Sequence, residues 1–165
     1  MRETVSHTFE AFVPEEAAIL ILGTMPSPKS RELGFYYGHP QNRFWKTLAG
    51  VFGESVPMSI DEKKDFLRRH RIALWDTLAR CEIRGADDSS IRNPIPNDIG
   101  ALLQSQPIKA IFTTGSKAAA YYRKLIYPSV GLEAVPLPSP SAANCRFYTP
   151  DSLIAAYRVI REYTD

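Results

Sequence analysis

The sequence has few cysteines, no long apolar run and almost no net charge. Its two cysteines, Cys81 and Cys145, lack the spacing of a metal site, so we expect two thiols and no bound metal. No segment approaches the roughly 18 apolar residues that a membrane span needs, and the amino terminus lacks the basic start and apolar stretch of a signal peptide. We therefore expect a cytoplasmic protein without a membrane segment.

The nearly balanced charge, +2 overall, neither requires nor excludes nucleic acid. The densest basic run, residues 68–71, is the kind of solvated helix end that the helix dipole favours. A chain of 165 residues suits one domain, 1–165, with a real core. It contains no repeat, linker or coiled-coil seam, so we expect a monomer.

Apolar runs separated by helical patterns predict an α/β fold. Strands are predicted at 17–22, 72–75, 108–113 and 134–137, with helices at 43–52, 61–70, 98–104, 116–126 and from Pro150 onward. Strands that alternate with helices indicate a three-layer αβα sandwich with a central, mostly parallel four-stranded sheet. Pro136 places the last strand at an edge. Residues before Glu15 are predicted to be a loose lead-in, and 81–96 a long polar loop.

Local signals set several helix ends. Ser59 with Glu62 fits a capping box before the helix at 61–70. Asn97 is predicted to cap the helix at 98–104. Gly53 is expected to end the helix at 43–52.

The loop after the first strand is the most unusual stretch, because it is rich in Pro and Gly and carries Phe35, Tyr36 and Tyr37 in a row. Ligands of open parallel sheets bind at the carboxyl edge of the strands, where this loop begins. We expect at least one of the three aromatics to meet a ligand; the alternative is that all fold back onto the core. The loops after the first, third and fourth strands are predicted to converge there.

Two segments resemble a known family. GTMPS at 23–27 with YYGHPQNRFW at 36–45, and LPSPSAAN at 137–144, are similar to motifs of the uracil-DNA glycosylase superfamily. The resemblance is greatest to its hypoxanthine-DNA glycosylase branch, and HPQNRFWK is also similar to a segment of the mismatch-specific uracil-DNA glycosylases. Some branches hold an iron–sulfur cluster on four cysteines, but this chain has two.

The resemblance implies a base excision repair enzyme that flips a deaminated base out of DNA and hydrolyses its N-glycosidic bond. Hypoxanthine is the first candidate base, with uracil and xanthine as alternatives. No cofactor is implied, and the partner is DNA containing a deaminated base. Lys29 and Lys46 are not marked by the resemblance as Schiff-base residues, so a monofunctional enzyme that leaves an abasic site is expected.

The same resemblance assigns roles to individual residues. Asn42 is the expected catalytic residue, since its amide can hold water or bind a purine edge; the alternative is a helix cap. Tyr37, with Tyr36 as its rival, is expected to stack under the flipped base. The remaining expected contacts are base-binding Gly23, Thr24, Met25 and Thr114, and the DNA-binding or wedge residues Ser27, Ser139, Pro140, Ser141 and Arg146.

Three departures from the family pattern bear on chemistry. Met25 or Ser27 stands where the uracil-specific branch has a water-orienting Asp, and Ser139 replaces a His or Asn. Thr114 precedes Gly115 where many relatives have Asn-Gly, so a hydroxyl replaces an amide. His39 is a further candidate for a phosphate or base contact, or for a structural bond.

Two other functions remain open from the sequence. A small αβα hydrolase would use Ser27, Ser139 or Ser141 as nucleophile, but the chain lacks a G-x-S-x-G elbow and its histidines all precede the last strands. A nucleic-acid-binding or nucleotide-binding module without catalysis would explain the departures in the motifs.

Overall fold

The computed structural model describes residues 2–7, 9–85, 87–144 and 146–164. Its strands are β1 (Glu3–Ser6), β2 (Ile19–Gly23), β3 (Ile72–Asp76), β4 (Leu78–Arg84), β5 (Asp87–Pro96), β6 (Ala110–Thr114) and β7 (Ala134–Leu137). Its α-helices are α1 (Pro28–Leu33), α2 (Phe44–Phe52), α3 (Ile60–His70), α4 (Ile99–Ser105), α5 (Ser116–Tyr121), α6 (Tyr127–Val130), α7 (Pro150–Tyr157) and α8 (Arg161–Thr164).

The central sheet has four parallel strands in the order β3-β2-β6-β7. Every residue of β2 is buried, as expected for a strand covered on both faces. Ile19 and Ile21 point into one apolar cluster, and Leu20 and Leu22 into the other. The predicted α/β fold with a parallel four-stranded sheet is therefore confirmed, and Pro136 does lie in the edge strand β7.

Helices cover both faces of this sheet. Side chains of α2, α3 and α7 pack on one face, and those of α4 and of the π-helical turn Tyr122–Ile126 pack on the other. The helix predicted at 116–126 consists of α5 followed by this π-helical turn, and α6 extends it beyond the predicted end. The capping box of Ser59 and Glu62 is present, and Gly53 ends α2 at a φ of 66°.

Two sequence predictions are wrong in the same region. The lead-in contains β1, and the supposed polar loop at 81–96 contains the end of β4 and all of β5. These three strands form an antiparallel sheet in the order β1-β4-β5. Leu78, Cys81 and Ile83 of β4 are buried and pack with Val5 of β1 in a small separate cluster. Strand β5 has a polar sequence because it lies at an edge of this sheet.

The predicted cap of α4 is also wrong by one residue. Asp98 caps the helix, because its Oδ1 accepts a hydrogen bond from the Ala101 backbone at 3.1 Å. Asn97 instead donates through Nδ2 to the carbonyls of Asp76 and Leu78, at 2.8 and 3.1 Å. These bonds fix the tight connection between β3 and β4.

Candidate active site

A cavity of about 430 Å³ lies at the carboxyl edge of the parallel sheet. The loops after β2 and β7 reach it, and β6 contributes its last residue, Thr114, so the predicted convergence at this edge is confirmed. Its lining consists of Gly23, Thr24, Met25, Pro26, Ser27, Ser30, Tyr36, Tyr37, His39, Gln41, Asn42, Asp76, Ile83, Thr114, Ser139, Pro140, Ser141, Ala142 and Ala143.

Tyr37 is held in place by both its ring and its hydroxyl. The ring stacks on Phe44 with centroids 3.8 Å apart and planes 14° apart. The hydroxyl lies 3.0 Å from Thr114 Oγ1, which itself donates to the Leu22 carbonyl, so Tyr37 is the donor to Thr114. Burial, with a smaller contribution from Asp76, raises the pKa of Tyr37 and keeps its hydroxyl protonated.

The backbone of Tyr37 is strained, since its φ is 52°. A bulky residue rarely adopts this conformation, and such strain is concentrated at functional sites. The two preceding aromatics are more deeply buried than Tyr37, since Phe35 and Tyr36 are only 5% and 2% exposed. The Tyr36 hydroxyl donates to the Glu10 carbonyl at 3.0 Å. Of the three adjacent aromatics, Tyr36 and Tyr37 line the cavity, and Tyr37 is the less buried of the two.

Asn42 lies at the cavity just before α2. Its Oδ1 accepts a hydrogen bond from the Phe44 backbone at 2.9 Å, which places the amide in one orientation. The helix-capping role is thus present, although Arg43 occupies the N-cap position itself. With Oδ1 bound to the helix end, Asn42 can offer its Nδ2 group to a ligand.

Arg43 connects the loop after β7 to the loop after β2 by hydrogen bonds. The Arg43 backbone donates to the Pro140 carbonyl at 2.9 Å, and its guanidinium donates to the carbonyls of Tyr148 and Ser141 at 2.6 and 3.2 Å. The Tyr157 hydroxyl donates to the Pro138 carbonyl at 2.6 Å. These bonds give the loop one fixed conformation against the cavity.

The expected DNA-contacting residues divide into two groups. Ser27, Ser139, Pro140 and Ser141 line the cavity, but the hydroxyls of Ser27 and Ser139 accept bonds from backbone groups nearby. Arg146 does not line the cavity. It lies on the exposed side of the loop, with its guanidinium 5.6 Å from the ring centre of Phe147. Phe147 itself is 73% exposed.

Asp76 is the acidic residue of the described cavity lining, and the motifs in the sequence did not mark it as a candidate. It ends β3, pairs in register with Gly23 of β2, and is 4% exposed. Its Oδ2 lies 2.8 Å from His7 Nε2, and His7 Nδ1 lies 2.6 Å from the Phe9 carbonyl. The sequence does contain a signal for Asp76, because it is an acidic residue directly after the strand predicted at 72–75. It contains none for His7, which lies in the segment predicted to be a loose lead-in.

Several sequence candidates lie outside the cavity or are bound elsewhere. Among the residues described, neither Lys29 nor Lys46 lines the cavity, and Lys29 lies 3.9 Å from Glu32. His39 lines the cavity, and its Nδ1 accepts a hydrogen bond from the Gln41 backbone. Cys81 is buried in β4, and Cys145 lies outside the described residues.

The contacts of His7 and His70 do not pair either histidine with a serine that could act as a nucleophile. His7 bonds to Asp76, and His70 to Glu54. Neither contact involves Ser27, Ser139 or Ser141. Within the described ranges, no group of three or more His, Cys, Asp or Glu comes together as a metal site, and no helix is long and apolar enough to cross a membrane.

The fold and the cavity define an α/β enzyme whose site lies at the carboxyl edge of a parallel sheet. The family model for the uracil DNA glycosylase superfamily matches residues 10–161, and the chain belongs to that superfamily. It is therefore a DNA glycosylase, which hydrolyses N-glycosyl bonds. The resemblance read from the two motifs is confirmed, and the serine hydrolase and the non-catalytic module are set aside.

Individual relatives agree with this assignment. The chain is similar to a protein named hypoxanthine DNA glycosylase from Methanosarcina acetivorans, at 35% identity over 87% of this chain and 90% of the relative. It is also similar to one of the same name from Methanosarcina barkeri, at 32% identity over 84% and 87%. The solution NMR structure of a candidate uracil DNA glycosylase from Methanosarcina acetivorans superposes with a TM-score of 0.79, at 33% identity over 98% and 99%.

Proposed function

We propose that this enzyme removes hypoxanthine from DNA and leaves an abasic site. One observation supports this most: a single cavity brings Tyr37 and Asn42 together with the loop segment at 139–143. The names of the two similar Methanosarcina proteins point to the same base. Uracil and xanthine are the alternative substrates, because they are also products of base deamination.

The flipped base stacks on Tyr37 in this proposal. The ring is backed by Phe44 and its hydroxyl is fixed by Thr114, so little freedom is lost when a base binds. Stacking on an aromatic ring contributes about 1–3 kcal/mol per base. This gain offsets part of the few kcal/mol that extrusion from the duplex costs.

Asn42 acts on the departing base or on the attacking water. When the N-glycosidic bond breaks, its electron pair moves to the base, which becomes negatively charged while the sugar becomes cationic. An Nδ2 donor already oriented by the Phe44 bond stabilises that charge without reorganisation. Water then attacks the sugar carbon and loses a proton, the departing base anion gains one, and no lysine is needed.

The loop at 139–148 enters the gap left by the base. Arg43 holds the loop rigid, and Phe147 is its large exposed apolar side chain. Apolar wedges of this kind separate stacked base steps, and Arg146 beside it is placed to meet a backbone phosphate. Ser139, Pro140 and Ser141 form the cavity side of the same loop.

We propose further that the enzyme acts as a single-domain monomer in the cytoplasm.

Glycosylase assays on defined duplexes test the proposal. End-labelled duplexes with one hypoxanthine, uracil or xanthine are incubated at fixed salt and then treated with hot alkali, which cleaves abasic sites. We expect alkali-dependent cleavage at hypoxanthine, and a fall of roughly 100-fold in Asn42→Ala, the size seen when one such donor is removed. Gln104→Ala, an exposed change on α4, is the control. Cleavage at uracil alone would make uracil the substrate in place of hypoxanthine. No cleavage of any duplex by folded protein would refute the proposal.

A further inference from the structure

We propose that a second cavity, between the edge strand β7 and the helical segment that follows β6, binds a small planar cyclic amide, the class to which free uracil belongs. This second cavity has a volume of about 150 Å³, and none of its described lining residues lines the active-site cavity. The proposal is therefore independent of which base the enzyme removes from DNA.

The strand β6 separates the two cavities. Thr113 lines the second cavity, whereas the next residue, Thr114, lines the active-site cavity. Successive side chains of a strand point to opposite faces of the sheet. A small molecule in the second cavity therefore leaves the active-site cavity open to a flipped base.

The unpaired hydroxyl group of Thr113 is the first argument for a ligand. Thr113 is 0% exposed, and its Oγ1 has no hydrogen-bond partner among the residues that the structure describes. Nearly all buried polar atoms of folded proteins are paired, so an unpaired one requires a specific explanation. A hydroxyl group can donate and accept. Thr113 therefore offers a buried polar contact to a molecule that fills the cavity.

The walls of the second cavity favour a flat molecule with one ring. Ala119, Ala134 and Pro136 contribute small apolar surfaces, and Tyr122 and Tyr127 contribute aromatic side chains. A cavity of about 150 Å³ is large enough for a single six-membered ring.

Tyr122 lines the same cavity and carries a second hydroxyl group. This hydroxyl donates to the Leu132 carbonyl, and burial, with a smaller contribution from Tyr127, raises the pKa of Tyr122 to about 12. The group therefore stays protonated, and its oxygen can still accept an N–H bond. Tyr122 also begins the π-helical turn, and single π-turns within helices occur frequently at functional sites.

Arg123 and Glu133 bring opposite charges to the exposed side of the cavity. Both residues line it and are exposed, and neither forms an ion pair within the described ranges. A cyclic amide presents an N–H group beside a carbonyl group, so one edge of the molecule can donate to the carboxylate and accept from the guanidinium. Uracil repeats this pattern around a single ring, so another of its edges can bond to Thr113.

An NMR titration locates the binding. Free uracil is added at fixed salt to isotope-labelled protein without DNA, and the backbone amide signals are followed. We expect shifts at Ala119, Arg123 and Ala134, which line the second cavity, separate from any shifts at Gly23 and Thr24 that report uracil in the active-site cavity. Shifts confined to the active-site residues, or no shifts at all, would overturn the proposal.

A pair of matched variants tests the unpaired hydroxyl. Thr113→Val removes that hydroxyl while keeping a side chain of similar shape, and it should weaken uracil binding at the second cavity at least tenfold. Thr4→Val, the same change at an exposed position of β1, should leave the affinity unchanged. Wild-type affinity in Thr113→Val would overturn the proposal. If Thr113→Val does not fold, Arg123→Met removes an exposed charge and should also weaken binding at least tenfold.

Two comparison ligands test the chemical class. Benzene has the ring without a polar edge, and glycine has two opposite charges without the ring. Each should bind to the second cavity at least tenfold more weakly than uracil. Equal or tighter binding of either molecule would overturn the assignment to a planar cyclic amide.

Discussion

Gly23 ends β2 at the floor of the cavity, where the structure leaves no space for a side chain. The methyl group of Gly23→Ala would lie 2.6 Å from Asp76 Oδ1. A carbon and an unbonded oxygen approach to about 3.3 Å, so the carboxyl must move by about 0.7 Å. It is held by His7 at 2.8 Å and cannot move without stretching that bond.

The expected cost follows from these distances. Overpacking of this size typically destabilises by about 1–3 kcal/mol, which for a domain of this length lowers the melting temperature by roughly 2–12 °C. Activity on hypoxanthine should fall as well, because the methyl group displaces Asp76 and approaches the Tyr37 hydroxyl. Thermal unfolding and single-turnover cleavage measure the two effects.

A matched control is available at Gly100 in α4. A Cβ there would make an ordinary contact of 3.4 Å with Val130, so Gly100→Ala should be neutral or stabilise by about 0.4–1 kcal/mol. A Gly23→Ala protein with wild-type melting temperature and wild-type activity would refute the packing we describe at the cavity floor.

Three further predictions concern stacking, the wedge and an ion pair. Tyr37→Leu should weaken binding of a hypoxanthine duplex by roughly 5- to 150-fold, whereas Tyr37→Phe should keep most of the affinity; equal losses would contradict the stacking role. Phe147→Ala should slow cleavage of duplex DNA more than of single strands, and an unchanged ratio of the two rates would exclude a wedge. Burial opposes ionisation of Glu54, but hydrogen bonds from Arg69 and His70 outweigh it and lower its pKa. Glu54→Gln should therefore reduce stability near neutral pH, and the difference should disappear as the pH falls through the lowered pKa of the Glu54 carboxyl. Denaturant unfolding at several pH values measures this difference; a difference that does not change with pH would contradict a contribution from the ion pair.

The parallel sheet could be predicted because its strands are buried on both faces. Such strands have continuous apolar sequences, as in β2 and β6, and their direction determines which loops meet at the carboxyl edge. The cavity and the placement of Asn42 and Tyr37 beside it followed from that direction together with the two motifs. The strained backbone of Tyr37 and the burial of Tyr36 could not be predicted in this way, because both depend on how the loop packs against the core.

The antiparallel sheet could not be predicted, because its strands do not have the composition of strands. β5 contains Asp, Ser, Asn and Pro, and β1 buries only Val5. These segments are strands because β4 between them supplies the hydrogen-bonding partners and the inward side chains. The same contacts bring His7 to Asp76, which explains why the pair was missed although the strand at 72–75 was predicted.

Release of the free base is the most direct test of the central claim. A hypoxanthine-containing duplex is incubated with excess enzyme, and the small-molecule fraction is analysed by mass spectrometry while abasic sites are counted in the DNA. The account predicts one free hypoxanthine for each abasic site and no strand break before alkali. Bound duplex without free base, or free adenine released from an undamaged control duplex at a similar rate, would contradict it.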